Sequence, residues 1–162
     1  MPPARTQALL ELLSAPLAAL EGLDLSDSDA ARAELERRYP HDGDEAQTLH
    51  AALAEAVAQG VICDRGNDAI RYSRLSKACD ETRDHSVDFV WMTGPGINHR
   101  HPRGEVNLCF AVDGEPRFDG APAGWIVFAP DSAHVPTVSG GRMLIVYFLP
   151  GGEVEWINAG KA

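Results

Sequence analysis

Beyond Gly60 the chain becomes a succession of short β-type runs with no helical spacing between them: "SVDFVWM", "EVNLCFAV", "PRFDG", "GWIVFAP", "HVPTV" and "RMLIVYFL". Parallel strands need a crossover segment, usually a helix, and no such segment fits between these runs. Short strands this close together build an antiparallel sandwich or barrel instead. Just ahead of them, "VICDRGNDAIRYSRL" reads as two strands around an Arg-Gly-Asn-Asp turn, and Asp113-Gly114, Asp119-Gly120 and Gly140-Gly141 read as turn pairs.

Residues 4 to 60 have another texture, rich in Ala, Leu and Glu at helical spacing. Leu9, Leu10, Leu13, Leu17 and Leu20 mark a first helix, with Pro16 as a break or a first-turn residue. "SDSDAARAELERRY" opens with capping residues and ends on Arg37 and Arg38, matching the helix dipole. "DGDEAQTLHAALAEAVAQG" forms a third helix that stops at Gly60. The expected organisation is therefore a three-helix arm or cap over residues 1–60 and a small β-barrel over residues 61–162.

Three helices and a hairpin also describe a winged helix, but the charge argues against a nucleic-acid partner. The net charge is −10, with 8 Lys and Arg against 14 Asp and Glu in residues 1–80 and 6 against 10 in residues 81–162. Both halves repel a phosphate backbone or an anionic membrane surface. Cys63, Cys79 and Cys109 are an odd number without CxxC spacing, which fits reduced, buried thiols rather than a disulfide framework. No secretory signal and no apolar run of spanning length is read, so the expected location is cytoplasmic.

The chemistry is concentrated in "HRHPRGEVNL". His99 and His101 are two apart, so on a strand both imidazoles face the same way, as a divalent ion requires of two ligands from one strand. Glu105 keeps the same parity and offers a hard oxygen. A further ligand has to come from elsewhere, and apart from His85 the other histidine of the β region is His134.

On these residues the chain resembles the cupin superfamily. Gly94, His99, His101, Glu105 and Gly114 follow the order of the first cupin motif, and Gly124, Pro130 and His134 that of the second. Four residues separate Gly94 from His99 where five are usual, and eight separate Glu105 from Gly114 where six are usual. Ser132 stands at the usual glycine, His134 arrives one residue early, and no Asn follows at the family spacing. The resemblance implies a mainly β fold, an antiparallel cupin-type barrel (double-stranded β-helix). It also implies that His99, His101, Glu105 and His134 hold one divalent ion, of iron, manganese, zinc, cobalt or nickel.

"RYSRL", "HRHPRGEVNL" and "RFDGAPAGWIVFAPDSAHVPTVSGGRMLIVYFLPGG" are similar to the 4-hydroxylaminobenzoate lyase family. These are small cupin-like enzymes of nitroaromatic degradation that convert 4-hydroxylaminobenzoate to 3,4-dihydroxybenzoate (protocatechuate) and ammonia. Another cupin reaction, dioxygenation or sugar isomerisation, and a non-catalytic ligand-sensing module are the alternatives. Glu105 either ligates the ion or stands beside it as a general base.

Strand parity after Glu105 puts Asn107 and Cys109 on its side and Val106, Leu108, Phe110 and Val112 on the other. That apolar row needs cover, from the helical arm or from another subunit, and a homodimer or higher oligomer is the expectation. A benzoate needs a cation, for which guanidinium is the bidentate partner. Arg71 and Arg74 lie three apart in one strand and point to opposite faces, so one of them reaches the pocket; Arg117 and Arg142 are weaker candidates. Tyr147, Trp91 and Trp125 offer rings for stacking, and His41, His50 and His85 are assigned no catalytic part.

Overall fold

A computed structural model describes residues 4–157. The first expected helix is two segments, α1 (Ala4–Leu12) and α2 (Ser14–Ala19), with the break at Leu13. Pro16 lies in the first turn of α2, where a missing N–H breaks no intrahelical bond. α3 (Ser28–Arg38) starts at Asp27, whose carboxylate accepts from the Ala30 N–H, and α4 (Asp44–Ala58) carries Asp44 and Glu45 in its first turn. Among the described residues no helix is long and apolar enough to cross a membrane.

The strands are β1 (Arg65–Gly66), β2 (Ile70–Ser76), β3 (His85–Pro95), β4 (His99–His101), β5 (Glu105–Phe118), β6 (Ala121–Pro122), β7 (Gly124–Phe128), β8 (Ser132–His134), β9 (Thr137–Pro150) and β10 (Glu155–Trp156). All pair antiparallel, in a larger sheet of order β1-β2-β3-β9-β5-β6 with β7 also on β5, and a smaller sheet of order β10-β4-β8. The fold is mainly β and antiparallel with helices ahead of it, as expected. The first hairpin turns over Asn67 to Ala69, so the Arg65-Gly66 pair expected in the turn is itself strand.

Two of the three expected turn pairs are not turns. Asp113-Gly114 lies inside β5 and Gly140-Gly141 inside β9, with Gly114 paired directly to Gly141. The register slips on both sides of this point, so the glycines bend two long strands rather than reverse them. A Cβ on Gly114 (φ +69°) would sit 2.5 Å from the Gly140 carbonyl oxygen, and one on Gly141 2.1 Å from that of Asp113. Only Asp119-Gly120 makes a hairpin turn, between β5 and β6.

The centre of the larger sheet is buried on both faces, which is why residues 105–110 of β5 and 143–150 of β9 read as near-continuous apolar runs instead of alternating ones. Val87, Phe89, Val106, Leu108, Phe110, Leu144, Val146 and Phe148 face the helices and form one core with Leu13, Leu17, Leu35, Leu49 and Leu53. The apolar row on which the oligomer expectation rested is thus covered within one chain. Met92, Cys109, Phe118, Ile126, Met143, Ile145 and Tyr147 form a second cluster on the opposite face. Cys63 and Cys109 are buried thiols as expected, but Cys79 is exposed, because it lies in the polar loop between β2 and β3.

Candidate metal centre

The smaller sheet brings the two histidine motifs together. β4 pairs with β8 so that His99 faces His134 and His101 faces Ser132 across the ladder. Parity then puts His99 and His101 on one side of β4, both buried, with Arg100 turned outward to Glu155 and Asp131. The Pro102-Arg103-Gly104 turn carries the chain into the larger sheet, where Glu105 opens β5. Gly104 has φ +93°, and a Cβ there would lie 3.0 Å from the Phe128 carbonyl oxygen, so the crossing needs glycine.

The three imidazole rings sit at the corners of a near-equilateral triangle, 4.7 to 4.9 Å between centroids. Their Nε2 atoms converge on one carboxylate. His99 and His101 Nε2 lie 3.2 and 3.4 Å from Glu105 Oε1, and His134 Nε2 lies 3.6 Å from Oε2. One ligand atom from each of the four residues falls within 4.8 Å of every other. Glu105 is 1% exposed and His101 0%. Asn107 donates from Nδ2 to Glu105 Oε2 at 2.9 Å, while its Oδ1 has no partner.

The outer nitrogens decide the tautomers. His99 Nδ1 meets the Ile97 carbonyl at 2.9 Å and His134 Nδ1 meets the Asp119 carboxylate; both partners are acceptors, so each Nδ1 carries the proton. His101 Nδ1 lies 3.0 Å from Ser132 Oγ, and Ser132 donates its one hydrogen to the Ala129 carbonyl. The hydroxyl can therefore only accept from His101, whose Nδ1 is again the protonated nitrogen. All three Nε2 lone pairs point inward, and those of His101 and His134 have no hydrogen-bond partner. Lone pairs aimed at one another and at a carboxylate repel unless a cation sits among them. The donor set, three neutral imidazoles and one carboxylate with their outer atoms tied down, fits a divalent ion.

Electrostatics point the same way. Burial pushes the Glu105 carboxyl up, but the imidazoles of His101, His134 and His99 around it outweigh that and hold the group well below the usual carboxylate range. Burial lowers His134, and the Glu105 and Asp119 carboxylates more than reverse that. Cys109 and Tyr147, on the same face, are pushed well up by burial and then by the Glu105 charge.

Phe128 stacks on His101 (5.5 Å) and lies 4.2 Å from the His134 ring, and Phe118 stands edge-on to Phe128 at 6.0 Å, giving the cluster an aromatic wall. Tyr147 and Asn107, opposite one another on β9 and β5, share the Glu105 face. Arg74 pairs with Asp88, which lies opposite Tyr147, so Arg74 is on that face too. Arg71 is on the other face, over the Trp91 ring at 5.5 Å. Arg117 donates to the Gly120 carbonyl beyond the bend in β5 and β9, and Arg142 reaches that of Ala69 at the bend itself. Trp125 is core, and His50 stacks on Phe110 at 4.6 Å. A cavity of about 450 Å³ opens elsewhere, between Leu23, Leu25, Arg83 and Arg103, and includes none of the four clustered residues.

Three participants were not singled out from the sequence. Asp119 reads there as half of a turn pair, Ser132 as a departure from a motif, and Asp88 as an ordinary strand residue. Only an aspartate next to a glycine signals anything locally, and it signals the turn.

Comparison with known proteins identifies the family. Residues 17–156 match the PnbB 4-hydroxylaminobenzoate lyase family. A 4-hydroxylaminobenzoate lyase of Pseudomonas putida is 30% identical over 145 residues, covering 75% of this chain and 80% of that protein. One from Nocardioides sp. (strain LMS-CY) is 31% identical over 114 residues, 64% and 68% of the two chains. Among solved structures, an RmlC-like cupin protein of Ralstonia eutropha aligns with a TM-score of 0.42 at 16% identity, over 59% of this chain and 64% of that one. The match over nearly the whole strand region and much of the arm places the chain in the 4-hydroxylaminobenzoate lyase family.

Proposed function

We propose that the protein is a metal-dependent lyase that takes 4-hydroxylaminobenzoate and water to 3,4-dihydroxybenzoate and ammonia. In this reading His99, His101, Glu105 and His134 are the ligands of one divalent ion. The observation that carries it is the convergence of three Nδ1-protonated imidazoles on a buried carboxylate, in a chain of this family. The reaction consumes one water overall and needs no external oxidant. The N–O bond breaks, the ring carbon beside the nitrogen gains oxygen, and hydrolysis of the resulting C=N bond releases ammonia.

A bound divalent ion supplies Lewis acidity and lowers the pKa of coordinated water toward about 7. The chain's own residues do the rest. Glu105 turns Oε1 toward His99 and His101 and Oε2 toward His134 and Asn107, so both oxygens lie inside the cluster. That arrangement supports a ligand over a base standing off the ion. Asn107 holds the carboxylate by one arm of its amide and keeps its buried oxygen free to accept a hydrogen bond from an N–H or O–H of the substrate. Phe118, Phe128 and Tyr147 exclude water from the aromatic ring.

The test is anaerobic incubation of the purified protein with 4-hydroxylaminobenzoate, with ammonia, catechol and metal content followed on one sample. Turnover with one ion per chain, lost on chelation and restored by a divalent ion, is expected. Undiminished turnover by the fully stripped protein would sink the metal-dependent reading. Consumption that depends on oxygen would favour a dioxygenase instead.

Ser132→Ala is expected to weaken metal affinity by roughly 10- to 100-fold, the usual effect of removing a group that holds a ligand's second nitrogen. Competition titration against a chromogenic chelator measures it. The variant also leaves the buried His101 Nδ1–H without its acceptor, so the metal-free protein should lose about 1–3 kcal/mol of stability as well.

A further inference from the structure

On the face that carries Glu105, four polar side chains form one lateral row across adjacent strands. Asn107 on β5 is opposite Tyr147 on β9, Tyr147 is opposite Asp88 on β3, and Asp88 is opposite Arg74 on β2. The Asn107 end is buried and bonded to Glu105, whereas the Arg74 side chain is 45% exposed. Apolar side chains, Ile145 and Val90, flank the row between its ends, and Ile126 of β7 lies past its Asn107 end. The face therefore has a dry, metal-ligating end, an apolar middle and a wet, cationic end.

We propose that Arg74 is the specificity-determining residue of the site, holding the carboxylate of the aromatic acid whose hydroxylamino group meets the His–Glu cluster, with Asp88 positioning its guanidinium. The proposal rests on the lyase reading and names the element that makes the substrate an acid.

The donor geometry supports it. Arg74 gives Nε to Asp88 Oδ1 at 2.9 Å and Nη2 to Oδ2 at 3.3 Å. A guanidinium has five N–H groups, so Nη1 and the second N–H of Nη2 are left as an end-on fork that fits a second planar carboxylate. Because Asp88 already balances the charge, the site offers directed donors rather than bare positive potential, which selects a flat carboxylate over a generic anion. Asp88 is itself mostly buried, and burial raises its carboxyl while Arg74 opposes the shift, so the two depend on one another.

The spacing suits a para-disubstituted ring. Strands about 4.8 Å apart put the Arg74 backbone about 14 Å from that of Asn107. An arginine side chain at one end and a benzoate with its reacting group opposite the carboxylate span that interval. Arg71 lies on the other face, and Arg117 alternates with the inward Phe118, so neither shares the row.

The experiment compares the metal-loaded wild type, Arg74→Ala, Arg74→Lys and Asp88→Asn on two substrates, 4-hydroxylaminobenzoate and hydroxylaminobenzene, which lacks the carboxylate. For the acid, Arg74→Ala should raise KM by about 30-fold or more, the loss of a charge-assisted bidentate pair. kcat should change far less, and hydroxylaminobenzene should be handled alike by both proteins. Arg74→Lys keeps the charge but not the fork and should fall between; Asp88→Asn should raise KM for the acid only. Equal effects of Arg74→Ala on both substrates, or none on either, would overturn the proposal. Calorimetric binding of 4-aminobenzoate, which has the carboxylate but no N–O bond, runs in parallel. Binding lost in Arg74→Ala upholds the anchor even if the wild type releases no ammonia, and in that case only the lyase reading fails. Binding unchanged in Arg74→Ala overturns the anchor whatever the turnover.

Discussion

In His101→Ala, tightly held metal and ammonia release should disappear together, with metal affinity down by more than about 100-fold. Removing a group that merely orients a ligand already costs up to about that factor, and His101 is a ligand itself. Its ring is 0% exposed, it shares Glu105 Oε1 with His99, and its outer nitrogen is tied to Ser132. No water can replace it without finding the same acceptor and the same direction. The substitution also takes a stacked ring away from Phe128, so a general loss of fold has to be told apart from a loss of ligand. Glu105→Gln serves for that: it preserves volume and the contact with Asn107 while removing the negative charge that the ion requires. Both variants should lose metal by elemental analysis while keeping the far-ultraviolet dichroism of the wild type. Stoichiometric metal in His101→Ala would mean that the ion sits elsewhere, and the four-residue centre would then be wrong.

What was legible in the sequence was what strand alternation controls locally. His99 and His101 on one side of β4, and Glu105, Asn107 and Cys109 on one side of β5, follow from a period of two, and the structure keeps all five so placed. The same alternation said that Arg71 and Arg74 part company, but not which faces the site. That depends on which face of β3 the helical arm covers, a contact between distant parts of the chain. Asp119 and Ser132 were invisible for a related reason. Each orients a histidine only because the β5–β6 turn and β8 are folded against the cluster. The glycine pairs failed differently. Gly-Gly and Asp-Gly report a need for positive φ or close backbone approach, and a bend within two long paired strands needs these as much as a hairpin does. Pro16 was readable either way, and the structure chose the first turn of a new helix.

Trp125→Ala should cost about 4 kcal/mol of stability, within the range for truncating a fully buried aromatic ring. Trp125 is 0% exposed on β7, opposite Leu108 of β5. It meets Tyr39 edge-on at 6.1 Å and Phe148 at 6.2 Å, and its indole N–H donates to the Tyr39 carbonyl at 2.7 Å. Tyr39 is the C-cap of α3, so one side chain fills the core behind β5 and satisfies a helix-end carbonyl that no intrahelical bond serves. For a domain whose total stability is about 5–15 kcal/mol, that loss is a large share. Trp125→Phe separates the two contributions, because it keeps most of the ring contact and strands the Tyr39 carbonyl, at about 1–3 kcal/mol. Denaturant titration followed by helical ellipticity and by aromatic fluorescence measures both variants. Coincident transitions with the larger loss for alanine are expected if arm and sheets share one cooperative core through this residue. A loss below about 1 kcal/mol, or a helical signal that melts ahead of the sheet, would mean that α3 docks on β7 without stabilising it, and that the strand bearing Glu105 is held by its neighbours alone.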